Sequence, residues 1–177
     1  MTTIRLHKKT IGASDAARLV LSPQKILTPP ETPKEILQEN QMIHHMLGAE
    51  NVEETWFTLA NGWTIRGIPD IWRDDRMIEI KVVRPGSDRN ALLAHAAYQA
   101  MIYALAEKIE TVEVWLYNYA SGEVQSYTFN VDDLQPARFF NTLEANLNMF
   151  TRLQTFVPQL SVTNENKLSM RALKVRE

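Results

Sequence analysis

The sequence predicts an α/β domain, with a mixed β-sheet of about five strands flanked by helices. Three observations carry this. Apolar residues recur at helical spacing before residue 48, over 90–108 and over 134–155, and with a period of two between those stretches. The alternating segments come as a run of three and a later pair, not as regular strand–helix repeats. Turn-forming residues stand at the seams: Gly48, Asn61-Gly62, Pro85-Gly86 and Ser121-Gly122.

In chain order, IGASDAARLVLSP (11–23) has the pattern of a short helix, with Ser14 or Asp15 as N-cap and Pro23 as the stop. LTPPETP (27–33) is a proline-rich connection. Residues 34–47 place Ile36, Ile43, Met46 and Leu47 at helical spacing, and Gly48 is the C-cap. WFTL and WTIRGIPDIW, on either side of Asn61-Gly62, form a hairpin, because Asn-Gly supplies the positive φ values of a tight turn. DDR turns the chain again, and MIEIKVV (77–83) is the third strand. Residues 90–108 are alanine-rich and helical. VEVWLYNYA and VQSYTFNV make a second hairpin, and a last helix covers 134–155. One domain is expected over 1–160, followed by a basic tail, 161–177.

Composition bounds the function. At 177 residues, 45% of them hydrophobic and 23% charged, the chain is one ordinary globular domain long. It has no cysteine, which excludes disulfides, thiolate zinc sites, iron–sulfur clusters and a cysteine nucleophile, and fits a reducing cytoplasm. The basic start MTTIRLHKKT has no apolar run behind it, so no secretory signal is expected, and no stretch is apolar enough for a membrane span. With a net charge of −2, a polyanion would have to be met by a local basic patch.

The chemistry concentrates in GIPDIWRDDRMIEIK (67–81). Side chains alternate along a strand, so Glu79 and Lys81 project together while Ile78, Ile80 and Val82 face the other way. Burying both charges costs several kcal/mol, roughly, unless each is partnered. Asp70, near the end of the preceding strand, would lie beside them across the hairpin. Two carboxylates so placed form a hard-oxygen pocket suited to Mg²⁺ or Mn²⁺, with the Ile80 carbonyl as a further ligand. Lys81 beside it could activate a water or stabilise a phosphorane, the equipment of metal-assisted phosphodiester hydrolysis. The plainer alternative is a cross-strand salt bridge on a solvent-facing sheet surface.

Pro69-Asp70 followed by Glu79-x-Lys81 resembles the core of the PD-(D/E)xK nuclease superfamily. QAMIY (99–103), on the next helix, resembles the Q-x-x-x-Y motif of its RecB-type members, which include CRISPR-associated exonucleases. IHHML (43–47) resembles the surroundings of that group's metal-binding histidine. The resemblance spans residues 34–107. It implies a restriction-endonuclease-like fold and Mg²⁺- or Mn²⁺-dependent hydrolysis of DNA, by exonuclease action on ends or single strands. His44, Asp70, Glu79 and Ile80 would bind metal, and Gln99 and Tyr103 would support Lys81. Geometry favours His44 over His45, since Ile36, Ile43 and Leu47 define the buried stripe, with His44 at its margin and His45 on the solvent side. Gln99 and Tyr103 share one face of their helix, which His95, left as structural, extends backwards. The alternative for the pair is polar edging of an amphipathic helix.

IGASDAARLVLSPQK also resembles the opening of lambda-type phage exonucleases, where such a segment helps bind a DNA end. Ser22 stands where RecB-type enzymes carry a cluster cysteine, so no iron–sulfur cluster is expected. A helix start at Ser14 offers N–H groups to a phosphate, and Lys25, Arg66, Arg84 and Arg89, with Lys167, Arg171, Lys174 and Arg176, are candidate DNA contacts. The four tryptophans are read chiefly as core or sheet edge, with a base-stacking role open for one of them. Rival readings are a site- or structure-specific endonuclease and a non-catalytic DNA-binding protein that keeps the fold. A homo-oligomer and recombination or repair partner proteins remain open.

Overall fold

The computed structural model describes residues 9–24, 32–50, 53–156, 160–162 and 168–170. Lys25, Lys167, Arg171, Lys174 and Arg176 lie outside them.

The chain begins with a strand that the sequence pattern had merged into the first helix: β1 (Thr10–Gly12), running directly into α1 (Ala13–Leu21). Gly12, in an extended conformation, occupies the N-cap with no side-chain cap bond, so neither Ser14 nor Asp15 caps the helix. Asp15 lies in the first turn and pairs with Arg18 at 2.8 Å. α2 (Lys34–Met46) follows, ending at Leu47 with Gly48 at φ 97°. Gly48 supplies the left-handed residue that commonly closes a helix.

β2 (Thr55–Thr58) and β3 (Thr64–Gly67) are antiparallel, paired from Thr55 with Gly67 to Thr58 with Thr64. Their connection turns at Gly62 with φ 86°, and the Asn61 side chain accepts from Trp63 N–H at 3.2 Å. β4 (Ile71–Arg73), β5 (Arg76–Val83), α3 (Arg89–Ala106), β6 (Thr111–Asn118) and β7 (Val124–Asn130) come next. A 3₁₀ turn (Val131–Leu134) leads into α4 (Pro136–Phe156), and β8 (Leu160–Val162) pairs with β9 (Leu168–Met170). These two short strands fall, from residue 161 on, within the stretch expected as a basic tail.

The expected single sheet is divided. One sheet has the order β1-β3-β2, with β1 parallel to β3; the other has the order β4-β5-β6-β7. β5 and β6 are parallel, joined by the α3 crossover, and the β4 and β7 edges are antiparallel. The division falls at Ile68–Pro69–Asp70, so WTIRGIPDIW is two strands in two sheets rather than one. Continuing the β4–β5 register from Ile71 opposite Ile78 would put Pro69 opposite Ile80. Proline has no N–H to donate to a ladder, which favours a break there.

The main core joins the two sheets and three helices. Ile11, Ile65, Met77 and Val112 from the strands meet Ala100, Met101 and Ala104 of α3 and Phe139, Leu143 and Leu147 of α4. The small side chains of α3 let it approach the sheet closely; Ala96 and Ala97 face a second cluster with Val114 and Leu116. The C-terminal half of the helix is buried on most of its circumference, and two of its polar side chains, Gln99 and Tyr103, are buried with it. α2 is the opposite case, with no buried residue at all. No described helix is long and apolar enough to cross a membrane.

Candidate active site

Strand alternation brings Glu79 and Lys81 to one side of β5, as the spacing predicts, but that side is interior. Glu79 is 3% exposed, which rules out a solvent-facing salt bridge. Lys81 Nζ donates to Glu79 Oε1 at 2.8 Å and to Gln99 Oε1 at 3.0 Å. Gln99 Nε2 in turn donates to the Tyr103 hydroxyl at 3.0 Å. Lys81, Gln99 and Tyr103 thus form one hydrogen-bonded chain from β5 into α3. Gln99 and Tyr103 belong to the interior, not to the polar edge of an amphipathic helix.

Asp70 follows the strand break. Its Oδ2 accepts from Ile80 N–H at 2.7 Å, so the carboxylate takes the bond that a continuing strand would have supplied. Its Oδ1 lies 3.2 Å from His44 Nδ1, and its main-chain carbonyl accepts from Glu50 N–H at 3.3 Å. His44, in the last turn of α2, is half-buried, while His45 is exposed. Ile80, whose carbonyl the sequence offers as a ligand, thus meets Asp70 through its N–H.

Burial dominates the electrostatics. It raises the Glu79 carboxyl to about 7; the Lys81 ammonium opposes the rise and the Asp70 carboxylate adds to it. Burial, with the negative charge of Glu79, also holds the Tyr103 hydroxyl well above its ordinary value. Glu79 Oε2 is buried without a hydrogen-bond partner. Such an oxygen is costly in a dry interior unless a proton or a cation satisfies it. Among the described residues, no three His, Asp or Glu side chains close into a ready-made metal cage. Both oxygens of Asp70 are already engaged. The donor set nevertheless fits a hard divalent cation: an unpartnered Glu79 oxygen, the facing Asp70 carboxylate and one imidazole, with no sulfur. A cation here would compete with His44 for Asp70.

A cleft of about 550 Å³ opens beside this chain of bonds, lined by Ser14, Arg18 and Arg66 together with Gly67, Gln99 and Tyr103. Two of the candidate DNA contacts, Ser14 and Arg66, therefore share it with two of the supporting residues. Ser14 is held from α3, since His95 Nε2 lies 2.9 Å from the Ser14 carbonyl oxygen and 3.4 Å from its hydroxyl. Arg66 pairs with Glu54 at 3.3 Å. Arg84 is placed elsewhere: it donates to Glu39 and Asn40 of α2 at 2.9 and 3.0 Å and lies over the Tyr119 ring. Arg89 donates to Gln125 and Tyr127 of β7.

Sequence reasoning missed Gly67. A Cβ there would fall 2.9 Å from both Cε1 and the hydroxyl of Tyr103, so the bare backbone is what admits the tyrosine. The signal was the glycine of the GIPD stretch, which the alternating pattern absorbed into a single strand. The β1 strand that brings Gly12 and Ser14 to the cleft was also missed, because three residues carry too little periodicity to register.

No family model and no curated protein matches the sequence. Solved structures do resemble the fold. SSO0001 is 23% identical, with a TM-score of 0.55 over 80% of this chain and 76% of its own. The alkaline exonuclease LHK-Exo from Laribacter hongkongensis is 13% identical, with a TM-score of 0.53 over 85% of this chain and 92% of its own. Its complex with dAMP gives 0.51 over 87% and 96%. The fold is restriction-endonuclease-like, with mixed sheets flanked by four helices among the described residues.

Proposed function

We propose that this restriction-endonuclease-like domain is a Mg²⁺- or Mn²⁺-dependent DNA nuclease acting on ends or single strands. The observation that carries the reading is the buried Glu79–Lys81 pair, with its unpartnered Glu79 oxygen, set against Asp70 and tied to Gln99. A purely structural ion pair has no need of that orphan oxygen, and well-packed apolar residues in its place are often as stable. The likeness to an exonuclease that has been seen with dAMP supports the substrate class.

His44, Asp70, Glu79 and the Ile80 carbonyl would hold the cation. Once bound, it would polarise the phosphodiester and make a water more acidic. The chain's own groups do the rest. Lys81 carries three N–H donors; Glu79 and Gln99 take two, leaving one for the attacking water or a phosphate oxygen. Tyr103 fixes the Gln99 amide so that its oxygen stays on Lys81. Ser14 and Arg66, across the cleft, are positioned for the phosphate backbone. Without a cation, the Asp70 carboxylate, joined by Glu79 once it ionises, repels a phosphate, so metal and DNA bind interdependently.

Linear DNA incubated with Mn²⁺ should be degraded, and Lys81→Ala or Asp70→Asn should slow this by about two orders of magnitude or more. Undiminished cleavage by Lys81→Ala would sink the mechanism. Covalently closed circular DNA, included in the same assay, should survive. Its cleavage would instead point to an endonuclease, and metal-dependent binding with no cleavage of either DNA to a non-catalytic protein.

A further inference from the structure

The four tryptophans have different fates. Trp63 is 3% exposed, Trp72 packs against the core, and the Trp115 indole N–H donates to Glu113 at 2.7 Å. Trp56 is 50% exposed. It lies on the outer face of the three-stranded sheet, because its neighbour Phe57 points inward and stacks on Phe140 of α4. On that outer face the register puts Gly12, Arg66 and Trp56 in one row across β1, β3 and β2. Gly12 and Arg66 line the cleft, so Trp56 is the next position outward from its wall. The Arg66 guanidinium stands over the indole, 5.4 Å from the ring centroid. Ile68, 54% exposed, is a second apolar group on the cleft itself.

We propose that Trp56 and Arg66 form a subsite for an unpaired nucleobase and its adjoining phosphate, and that the cleft therefore takes single-stranded nucleic acid. This rests on the nuclease reading and narrows its substrate. A flat aromatic face exposed to solvent stacks on any base but cannot reach one inside a duplex. A guanidinium next to it supplies the charge that meets the phosphate. Arg66 lies over the indole, and its pairing with Glu54 ties the guanidinium to the leading end of β2. With half its surface exposed, the indole can be reached by a base.

The test is binding, measured by fluorescence anisotropy with Mn²⁺ in a Lys81→Ala background so that the strand stays intact. Two labelled probes are compared: an oligothymidylate and an abasic strand of the same length and charge. The thymidylate should bind more tightly, and Trp56→Ala should weaken it roughly ten-fold while leaving the abasic strand unchanged. Trp56→Phe should recover most of the loss, because it restores an aromatic face. Equal loss on both probes, or no loss on either, overturns the subsite while leaving the nuclease reading standing. A failure of the unsubstituted background to bind either probe overturns both. A blunt duplex that binds as well as the thymidylate, with the same dependence on Trp56, would overturn the single-strand assignment.

Discussion

At the scale of the residue, Glu79 is the group most changed by its surroundings. Burial raises its pKa to about 7, above the ordinary carboxylate value, so the folded protein retains a proton that the unfolded chain has lost. Stability in the absence of divalent cations should therefore fall as the pH rises from about 4.5 to 7, by something on the order of 3 kcal/mol from this group alone. Urea unfolding in a chelator at pH 5 and pH 8 measures it, and Glu79→Gln should flatten the difference. A wild-type stability that climbs over that interval, with the Gln variant climbing equally, would show that Glu79 is not held neutral. The pair's position was legible in the sequence because strand periodicity is strict. Its depth was not, because burial depends on how α3 packs back over β5, which strand periodicity does not report.

At the scale of the element, α2 is weakly seated for a helix that carries His44. With no buried side chain, it relies on polar ties: His44 to Asp70, Glu50 N–H to the Asp70 carbonyl just beyond its end, and Arg84 to Glu39 and Asn40. Arg84 is also stacked 4.0 Å from the Tyr119 ring centroid, which fixes its planar fork. Its substitution should act on the metal site more than on DNA. Arg84→Ala is expected to raise the Mn²⁺ concentration for half-maximal cleavage about ten-fold, with the KM for DNA changed less than about two-fold. A higher KM with a shallower salt dependence would make it the phosphate contact that composition alone indicates. The spacing of α2 separated half-buried His44 from exposed His45, but the stripe of Ile36, Ile43 and Leu47 that it predicts as buried is only half-buried. What an arginine one strand away does with its charge was not readable, since a guanidinium near a proposed site looks the same whether it meets a phosphate or a glutamate.

At the scale of the molecule, the fold class was legible from the alternation of periods, and the division into two sheets was not. A Gly-x-Pro inside an alternating run signals a bend, but whether the strand resumes in the same sheet depends on partners elsewhere. The division places the proposed metal pocket at the seam, where Asp70 from the break, Glu79 from the second sheet and His44 from α2 meet. A cation bound there ties three separate pieces together and should stabilise the whole fold. Mn²⁺ at about a hundred times its dissociation constant should add about 2.7 kcal/mol, a rise in Tm of roughly 5–10 °C for a chain of this length. Differential scanning calorimetry reads the shift, and Asp70→Asn should remove most of it. An equal shift in that variant would put the cation elsewhere.

The parallel pairing of β1 with β3 also bears on the order of assembly. The groups proposed for the chemistry, apart from His44, lie within residues 70–103, and their contacts are short-range in the chain. The opposite wall of the cleft comes from Gly12 and Ser14, and Thr10 meets its partner only at Thr64. The entropy of closing that long loop delays the pairing relative to local contacts. During synthesis β1 leaves the ribosome first and waits, unpaired, for a strand not yet made. The proposed metal pocket is thus expected to form early and open, with the wall that makes the cleft closing last.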